Sequence, residues 1–82
     1  MITVLKFYAV WCAPCKILSK ILGDRPEIKE VNIEDDTEEL RSKYRVRNVP
    51  TLIFLKDEEE VNRIVGIIRL EDYEEIINNL NK

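Results

Sequence analysis

The spacing of the hydrophobic residues changes several times along this 82-residue chain, and each change predicts a new element. Residues Ile2–Tyr8 are mostly β-branched or aromatic, with apolar residues on both faces, which is typical of a strand buried on both sides. Helical spacing follows from about Cys12 to Gly23, a natural C-terminal cap. A short second strand is predicted at Ile28–Ile33. The first part of the chain therefore predicts a β-α-β unit.

The second part of the chain predicts a helix followed by a hairpin. Asp35 or Asp36 is placed to cap a helix that runs towards Arg45, with acidic residues at its start and basic residues at its end. Thr51–Leu55 is strongly strand-like. After an acidic turn, Val61–Val65 has the alternating apolar residues of a returning strand.

A last helix is predicted from about Leu70 to Asn79. The complete order is βαβαββα, with no internal repeat and no low-complexity tract. A parallel crossover followed by an antiparallel hairpin is most economically assembled as a four-stranded mixed sheet with helices on both faces. The expected fold class is therefore α/β, in a single domain that spans residues 1–82.

The charge pattern narrows the expected partners. The net charge of −3 comes from interspersed acidic and basic residues, with no basic stripe, which argues against nucleic acid and anionic membranes as partners. No apolar stretch approaches the roughly 20 residues of a membrane span. We expect a protein of the cytoplasm. The chain has no histidine, which excludes Ser-His and Cys-His catalysis and any metal site that contains histidine.

The residues with the most obvious chemistry are Cys12 and Cys15, the only cysteines of the chain. Cys12 lies where the helix starts, and unpaired N–H groups and the helix dipole lower the pKa of a thiol there. We expect Cys12 to be the more exposed and to attack a substrate disulfide. Cys15, one helical turn on and more buried, would then resolve the mixed disulfide. Ala13 and Pro14 between them keep the loop stiff and uncharged.

Other uses of two cysteines at this spacing are open from the residues alone. Plain core cysteines would not need Trp11 before them or Pro14 between them. A zinc site needs four ligands, so it would require a dimer in which each chain contributes both thiols. We expect no metal site within one chain.

Two motifs carry a resemblance to a known family. The segment Trp11–Lys16, Trp-Cys-Ala-Pro-Cys-Lys, resembles the active-site motif of thioredoxins, and Asn48–Thr51 resembles the segment that holds the family's cis-proline. The resemblance covers nearly the whole chain and implies a thioredoxin-like fold. It further implies disulfide-containing protein substrates and a thioredoxin-reductase-like or other electron donor. No cofactor is implied besides the redox-active disulfide, and we expect a monomer.

The resemblance also implies roles for residues outside the two cysteines. Pro50, in a cis peptide bond, would pack against the disulfide, and the backbone of Val49 would pair with an extended substrate segment. A flat, mostly apolar docking surface is implied at Trp11, Ala13, Pro14, Val49, Gly66 and Ile67.

The chain departs from the family pattern in three places. Because Ile2 already begins the motif strand, we do not expect the family's usual first strand and helix, and we expect an architecture closer to a minimal glutaredoxin-like core. Glutaredoxins usually have a Gly-Gly pair after the hairpin, whereas this chain has Gly66-Ile67, so glutathione binding is not expected. Glu58 stands where the hairpin turn usually carries glycine, which affects only the turn type.

Besides the missing unit and Glu58, the remaining and sharpest departure from the thioredoxin pattern lies beneath the motif. Thioredoxins commonly place a buried aspartate six residues before the first cysteine, and here that residue is Lys6. Glu30 takes the place of the lysine that usually pairs with the aspartate. Our hypothesis is that Lys6 and Glu30 form a partly buried ion pair under Cys15, because an unpaired charge there would be costly.

The expected function is a thiol–disulfide oxidoreductase, more specifically a protein disulfide reductase. The alternative from another class is a redox-inactive module that binds extended peptides in the same groove.

Overall fold

The computed structural model describes all 82 residues, Met1 to Lys82. Its seven elements follow the predicted order: β1 Ile2–Tyr8, α1 Ala13–Leu22, β2 Ile28–Asn32, α2 Leu40–Lys43, β3 Thr51–Lys56, β4 Glu59–Val65 and α3 Leu70–Leu80. The strands form one sheet in the order β2-β1-β3-β4. β1 and β2 are parallel, whereas the β1–β3 and β3–β4 pairs are antiparallel. The predicted four-stranded mixed sheet is therefore confirmed.

Alternation along β1 explains how both faces of the sheet are covered. Val4 packs on one face against Leu18 of α1 and Tyr73 of α3. Its neighbours Leu5 and Phe7 point to the other face, where the segment around α2 covers them. Helices α1 and α3 therefore share one face and α2 takes the other. None of the three helices is long and apolar enough to cross a membrane.

The register brings two distant segments to one end of the sheet. Phe7, near the end of β1, pairs with Thr51, the first residue of β3. The segment after β1 and the segment before β3 therefore meet, since antiparallel neighbours exchange ends. The acidic β3–β4 hairpin lies at the opposite end, where Ile2 pairs with Lys56.

The prediction of a helix from Asp35 or Asp36 to Arg45 is wrong, because α2 has only four residues. Left-handed backbone at Glu39 (φ 55°) and Arg45 (φ 53°) limits it on both sides. The carboxylate of Asp36 accepts hydrogen bonds from the N–H groups of Leu40 and Arg41, at 2.9 and 2.7 Å. The side chain of Asp36 therefore caps the first N–H groups of α2, although the residue at the N-cap position itself is Glu39.

The predicted returning strand at Val61–Val65 is confirmed within β4, but its apolar residues are not all buried. The side chains of Val61 and Val65 are 46% and 58% exposed, and only Ile64 packs against the core. A bulge interrupts the β3–β4 register between Phe54 and Leu55, and β4 is one of the two edge strands of the sheet. An edge strand with a bulge loses strict alternation, because one residue is left without a partner.

Candidate redox site

Cys12 lies at the N-terminal cap of α1, directly after the end of β1 and its short connection. Pro14 fits in the first turn because the N–H that proline lacks would have no helical partner there. The Sγ of Cys12 accepts a hydrogen bond from the N–H of Cys15 at 3.2 Å. The two cysteines form a disulfide, with their Cα atoms 5.3 Å apart. The sulfur of Cys12 is thus directed at the positive end of the helix.

The prediction that Cys12 is more exposed than Cys15 is wrong for the disulfide-bonded protein. Cys12 is 4% exposed and Cys15 is 3% exposed. Cys12 is enclosed because the cap position turns its side chain inward, into a cluster formed with Ala9 and flanked by Tyr8, Ile33 and Val49. The chemical difference between the thiols must therefore come from hydrogen bonding and position, not from exposure.

The segment before β3 closes over the disulfide. The Val49–Pro50 peptide bond is cis, and Pro50 is buried. The Sγ of Cys12 lies 3.8 Å from the carbonyl oxygen of Val49. On the other side, the N–H of Gly66 donates to the carbonyl oxygen of Pro50 at 2.9 Å. Gly66 has φ 97°, a conformation that favours glycine. These contacts bring the Gly66-Ile67 segment next to Val49 and Pro50.

The residues expected to form the docking surface lie around the disulfide with their apolar groups partly free. Trp11 is 65% exposed and Ile67 is 48% exposed. Ala13 and Pro14 are exposed, and Val49 and Gly66 are half-buried. Sequence reasoning missed Val10, which is 61% exposed beside Trp11. Its place in the turn between β1 and α1 was the available signal, because connecting segments lie at the protein surface.

Lys6 lies in the core, only 3% exposed, in the central strand β1. It pairs in register with Glu30 of β2, and its Nζ lies 2.7 Å from the Oε1 of Glu30. The Nζ also donates to the Oγ of Ser19 at 2.7 Å. Glu30 is 56% exposed, so the ion pair runs from the core to the rim of the sheet. Sequence reasoning missed Ser19, although its spacing of four from Cys15 places both on one helix face.

Two cavities flank the disulfide. One, of about 460 Å³, is lined by residues of β1, its following loop and α1: Tyr8, Ala9, Val10, Cys15, Lys16, Ser19 and Lys20. The other, of about 480 Å³, lies on the opposite side of Trp11 and is lined by Trp11, Ile33, Glu34, Arg41, Arg47, Asn48 and Val49. Neither the cavities nor any other part of the chain holds three or more His, Cys, Asp or Glu side chains grouped as metal ligands.

Comparison with known proteins shows similarity along nearly the whole chain. The family model described as thioredoxin matches residues 1–81. A thioredoxin of Bacillus subtilis is 37% identical over 79 residues, which cover 88% of this chain and 75% of that protein. Thioredoxin H5 of Oryza sativa subsp. japonica is 38% identical over 84 residues, and this chain spans only 62% of its length.

Solved structures of the same kind have a similar fold. A mutant thioredoxin from Halobacterium salinarum NRC-1 superimposes with a TM-score of 0.80 at 30% identity, over 99% of this chain and 75% of that one. A reduced thioredoxin pre-protein of Schistosoma mansoni gives a TM-score of 0.80 at 28% identity, over 96% of this chain and 78% of that one.

Proposed function

The chain belongs to the thioredoxin family, and from that premise we propose that it reduces protein disulfides by cycling Cys12 and Cys15 between dithiol and disulfide. The family match and the Cys12–Cys15 disulfide support dithiol–disulfide oxidoreductase activity. The observation that carries the proposal is the hydrogen bond from the N–H of Cys15 to the Sγ of Cys12 at the start of α1. A donor in this position stabilises a thiolate more than a thiol.

In the first step, the Cys12 thiolate attacks one sulfur of the substrate disulfide. A bond forms between that sulfur and Cys12, the substrate S–S bond breaks, and the other substrate sulfur leaves as a thiolate that takes up a proton. The helix dipole and the N–H of Cys15 hold the attacking sulfur in its charged form.

In the second step, Cys15 loses its proton and attacks the Cys12 sulfur of the mixed disulfide. The Cys12–Cys15 bond forms, and the second substrate sulfur leaves and is protonated, so two electrons have passed to the substrate. The Cα separation of 5.3 Å is within the usual range for a disulfide, so this step needs little backbone movement. An electron donor, either a reductase or a small dithiol, then returns two electrons to Cys12 and Cys15.

The backbone beside Cys12 supports the binding of an extended substrate. Val49 lies outside every strand and uses neither its N–H nor its carbonyl in a backbone hydrogen bond. Both groups are therefore available to pair with a substrate segment in β-fashion. Trp11 and Ile67, with their exposed apolar side chains on either side, would exclude water from the reacting sulfurs.

We further propose that Lys6 and Ser19 act on Cys15 as positioning residues. Ser19 lies one helical turn from Cys15 and lines the same cavity. The Lys6 ammonium is hydrogen-bonded to Ser19, so a cation lies beneath Cys15, and a nearby cation favours the thiolate that resolves the mixed disulfide. Glu30 keeps this buried cation paired.

An insulin-type disulfide reduction assay tests the proposal. It is run with two electron sources, dithiothreitol and NADPH with a thioredoxin reductase. The wild-type protein should accelerate reduction, and Cys12→Ser should abolish the acceleration because no attacking thiolate remains. With NADPH and the reductase, Cys15→Ser should turn over at most once per molecule, because the protein has no second thiol to resolve the mixed disulfide. A rate that is unchanged in Cys12→Ser would overturn the proposal.

The same variants distinguish the alternatives. A redox-inactive peptide-binding module would bind an extended peptide equally well as wild type, Cys12→Ser and Cys15→Ser, and would reduce nothing. An all-cysteine zinc site shared by two chains would give one metal per dimer and lose the dimer on chelation.

A further inference from the structure

The basic side chains of this protein differ in whether they have an acidic partner. Five of them form ion pairs within the chain, namely Lys6, Arg25, Lys29, Arg63 and Arg69. Lys16, Lys20, Arg41 and Arg47 form none, and only Arg41 makes a side-chain hydrogen bond, to the carbonyl oxygen of Val46. These four cations therefore present their charge to solvent without an internal counterion.

Of the eight basic side chains that form no ion pair, these four line the cavities beside the disulfide, whereas Lys43, Arg45, Lys56 and Lys82 do not. Lys16 and Lys20 line the cavity that contains Cys15. Arg41 and Arg47 line the cavity on the other side of Trp11. We call these four residues the basic rim. The one acidic residue that lines either cavity is Glu34, which forms no ion pair with a rim arginine.

The basic rim contrasts with the rest of the molecule. The chain has a net charge of −3, so the surface away from the rim is strongly acidic. The acidic hairpin turn at Asp57–Glu60 lies at the end of the sheet opposite to the disulfide. The four cations of the basic rim therefore make the surface beside the disulfide locally positive, and such a local field orients an approaching acidic partner.

Between the two halves of the basic rim lies an apolar ridge. Val10 and Trp11 are 61% and 65% exposed. An exposed apolar strip with unpaired cations on both sides complements a segment that has an apolar centre and acidic flanks.

We propose that the preferred substrates are proteins whose disulfide lies in an extended segment with Asp or Glu residues on both sides of the reacting cysteine. This inference rests on the proposed disulfide reductase function and specifies its substrate class. The carboxylates on one side meet Lys16 and Lys20, and those on the other side meet Arg41 and Arg47. The apolar residues next to the cysteine contact Val10 and Trp11.

Synthetic peptides with one intramolecular disulfide and identical apolar centres test the inference. Three versions carry Glu, Gln or Lys at the flanking positions. Their second-order rate constants with the reduced protein are followed by the fluorescence of Trp11, the only tryptophan. Each rate is divided by the rate of the same peptide with dithiothreitol, because flanking charge changes the intrinsic reactivity of a disulfide. Rates are compared at low and high salt.

The corrected rate for the Glu peptide should exceed that for the Lys peptide by at least about tenfold at low salt, the lower end of electrostatic steering. The ratio should approach one at high salt, where the Debye length falls to about 3 Å. Equal corrected rates at low salt, or a faster Lys peptide, would overturn the inference. The Gln peptide separates this failure from that of the proposed function, because an inactive protein would reduce none of the three.

Charge-matched variants locate the effect. The double variants Lys16→Gln/Lys20→Gln and Arg41→Gln/Arg47→Gln should each reduce the Glu-to-Lys rate ratio severalfold. Lys56→Gln/Lys82→Gln is the control, because it removes the same charge at residues that also lack an ion pair and lie away from both cavities. If the control lowers the ratio as much as the rim variants do, the effect belongs to net charge and the basic rim has no special role.

Discussion

Replacing Lys6 with Met removes the buried cation beneath Cys15 while keeping a side chain of similar length. Ser19 is four residues after Cys15, about 6 Å along the helix axis, and the Nζ of Lys6 lies 2.7 Å from the Oγ of Ser19. The ammonium therefore lies within roughly 9 Å of the Cys15 sulfur. At about 8 Å and an effective dielectric constant of about 20, it stabilises a Cys15 thiolate by about 2 kcal/mol.

Glu30 opposes part of this stabilisation. Its carboxylate is 2.7 Å from the ammonium, but it is 56% exposed and belongs to the edge strand β2, so water screens it more than it screens Lys6. We expect a net effect of about 1 kcal/mol, which corresponds to about a fivefold change in the thiolate fraction. Lys6→Met should accordingly raise the pKa of the Cys15 thiol.

The assay uses the Cys12→Ser background, in which Cys15 is the only thiol, and follows thiolate ultraviolet absorbance against pH. Lys29→Met is the matched control, because Lys29 is also an ion-paired lysine near the sheet but is half-exposed and pairs with Glu38. Glu30→Gln should act in the opposite direction to Lys6→Met. It keeps the cation and removes its screening, so it should lower the pKa of Cys15, although it destabilises the fold by leaving Lys6 unpaired.

An unchanged Cys15 titration curve in Lys6→Met, or a shift in the same direction as in Glu30→Gln, would contradict a role for the Lys6 cation in stabilising the Cys15 thiolate. A chemical denaturation curve for each variant excludes a trivial effect of unfolding.

Other predictions concern the parts of the fold that hold the site. Burial and the hydrogen bond to Glu27 raise the pKa of Tyr73 far above its usual value near 10. The folded state therefore favours the protonated phenol. The stabilisation that this provides is complete below pH 10 and should be lost as the pH rises above it, so the free energy of unfolding should fall more steeply in wild type than in Tyr73→Phe. Urea unfolding at several pH values measures the difference. Glu58→Gly should stabilise the hairpin by about 1 kcal/mol, because Glu58 has φ 71° in a two-residue turn, and thermal unfolding measures the gain. Gly66→Ala should lower the free energy of unfolding, measured with denaturant, by about 1–2 kcal/mol. The cause would be backbone strain at φ 97° rather than a clash, since a Cβ there meets nothing within 4 Å.

The sheet and its long helices could be predicted from the sequence because their hydrophobic patterns are strong and local. The buried strands Ile2–Tyr8 and Thr51–Lys56 are nearly continuous apolar runs, and α1 has both a proline near its start and a glycine after its end. Each of these signals acts within a few residues, so no knowledge of the tertiary contacts is needed.

The short helix and the burial of Cys12 could not be predicted in the same way. The left-handed backbone at Glu39 and Arg45 is imposed by the path that the chain must take between β2 and β3, and neither residue favours that conformation. Cys12 is enclosed by Val49, which is 37 residues away in the chain. Contacts of this kind depend on strand register, which a local pattern does not specify.

The residues of the site also fall into those that a local sequence signal predicts and those that only tertiary contacts bring together. The two cysteines and Pro50 belong to short motifs, so their proximity could be inferred from a resemblance. The hydrogen bond between Lys6 and Ser19 joins β1 to α1, and Arg47 reaches its cavity through the turn before Val49. Ser19 and Arg47 have no distinctive sequence signal, because serines and arginines are common on ordinary surfaces, whereas Lys6 stands out only through its departure from the family pattern.

The most direct test of the account is to react the reduced Cys15→Ser and Cys12→Ser variants with a disulfide peptide and weigh the products by mass spectrometry. A stable mixed disulfide through Cys12 is expected in Cys15→Ser, because the resolving thiol is gone. Much less adduct should form in Cys12→Ser, where Cys15 lacks the N-terminal cap position and the hydrogen bond that Cys12 accepts. Equal adduct yields in the two variants, or adduct through Cys15 alone, would contradict the assignment of Cys12 as the attacking thiol.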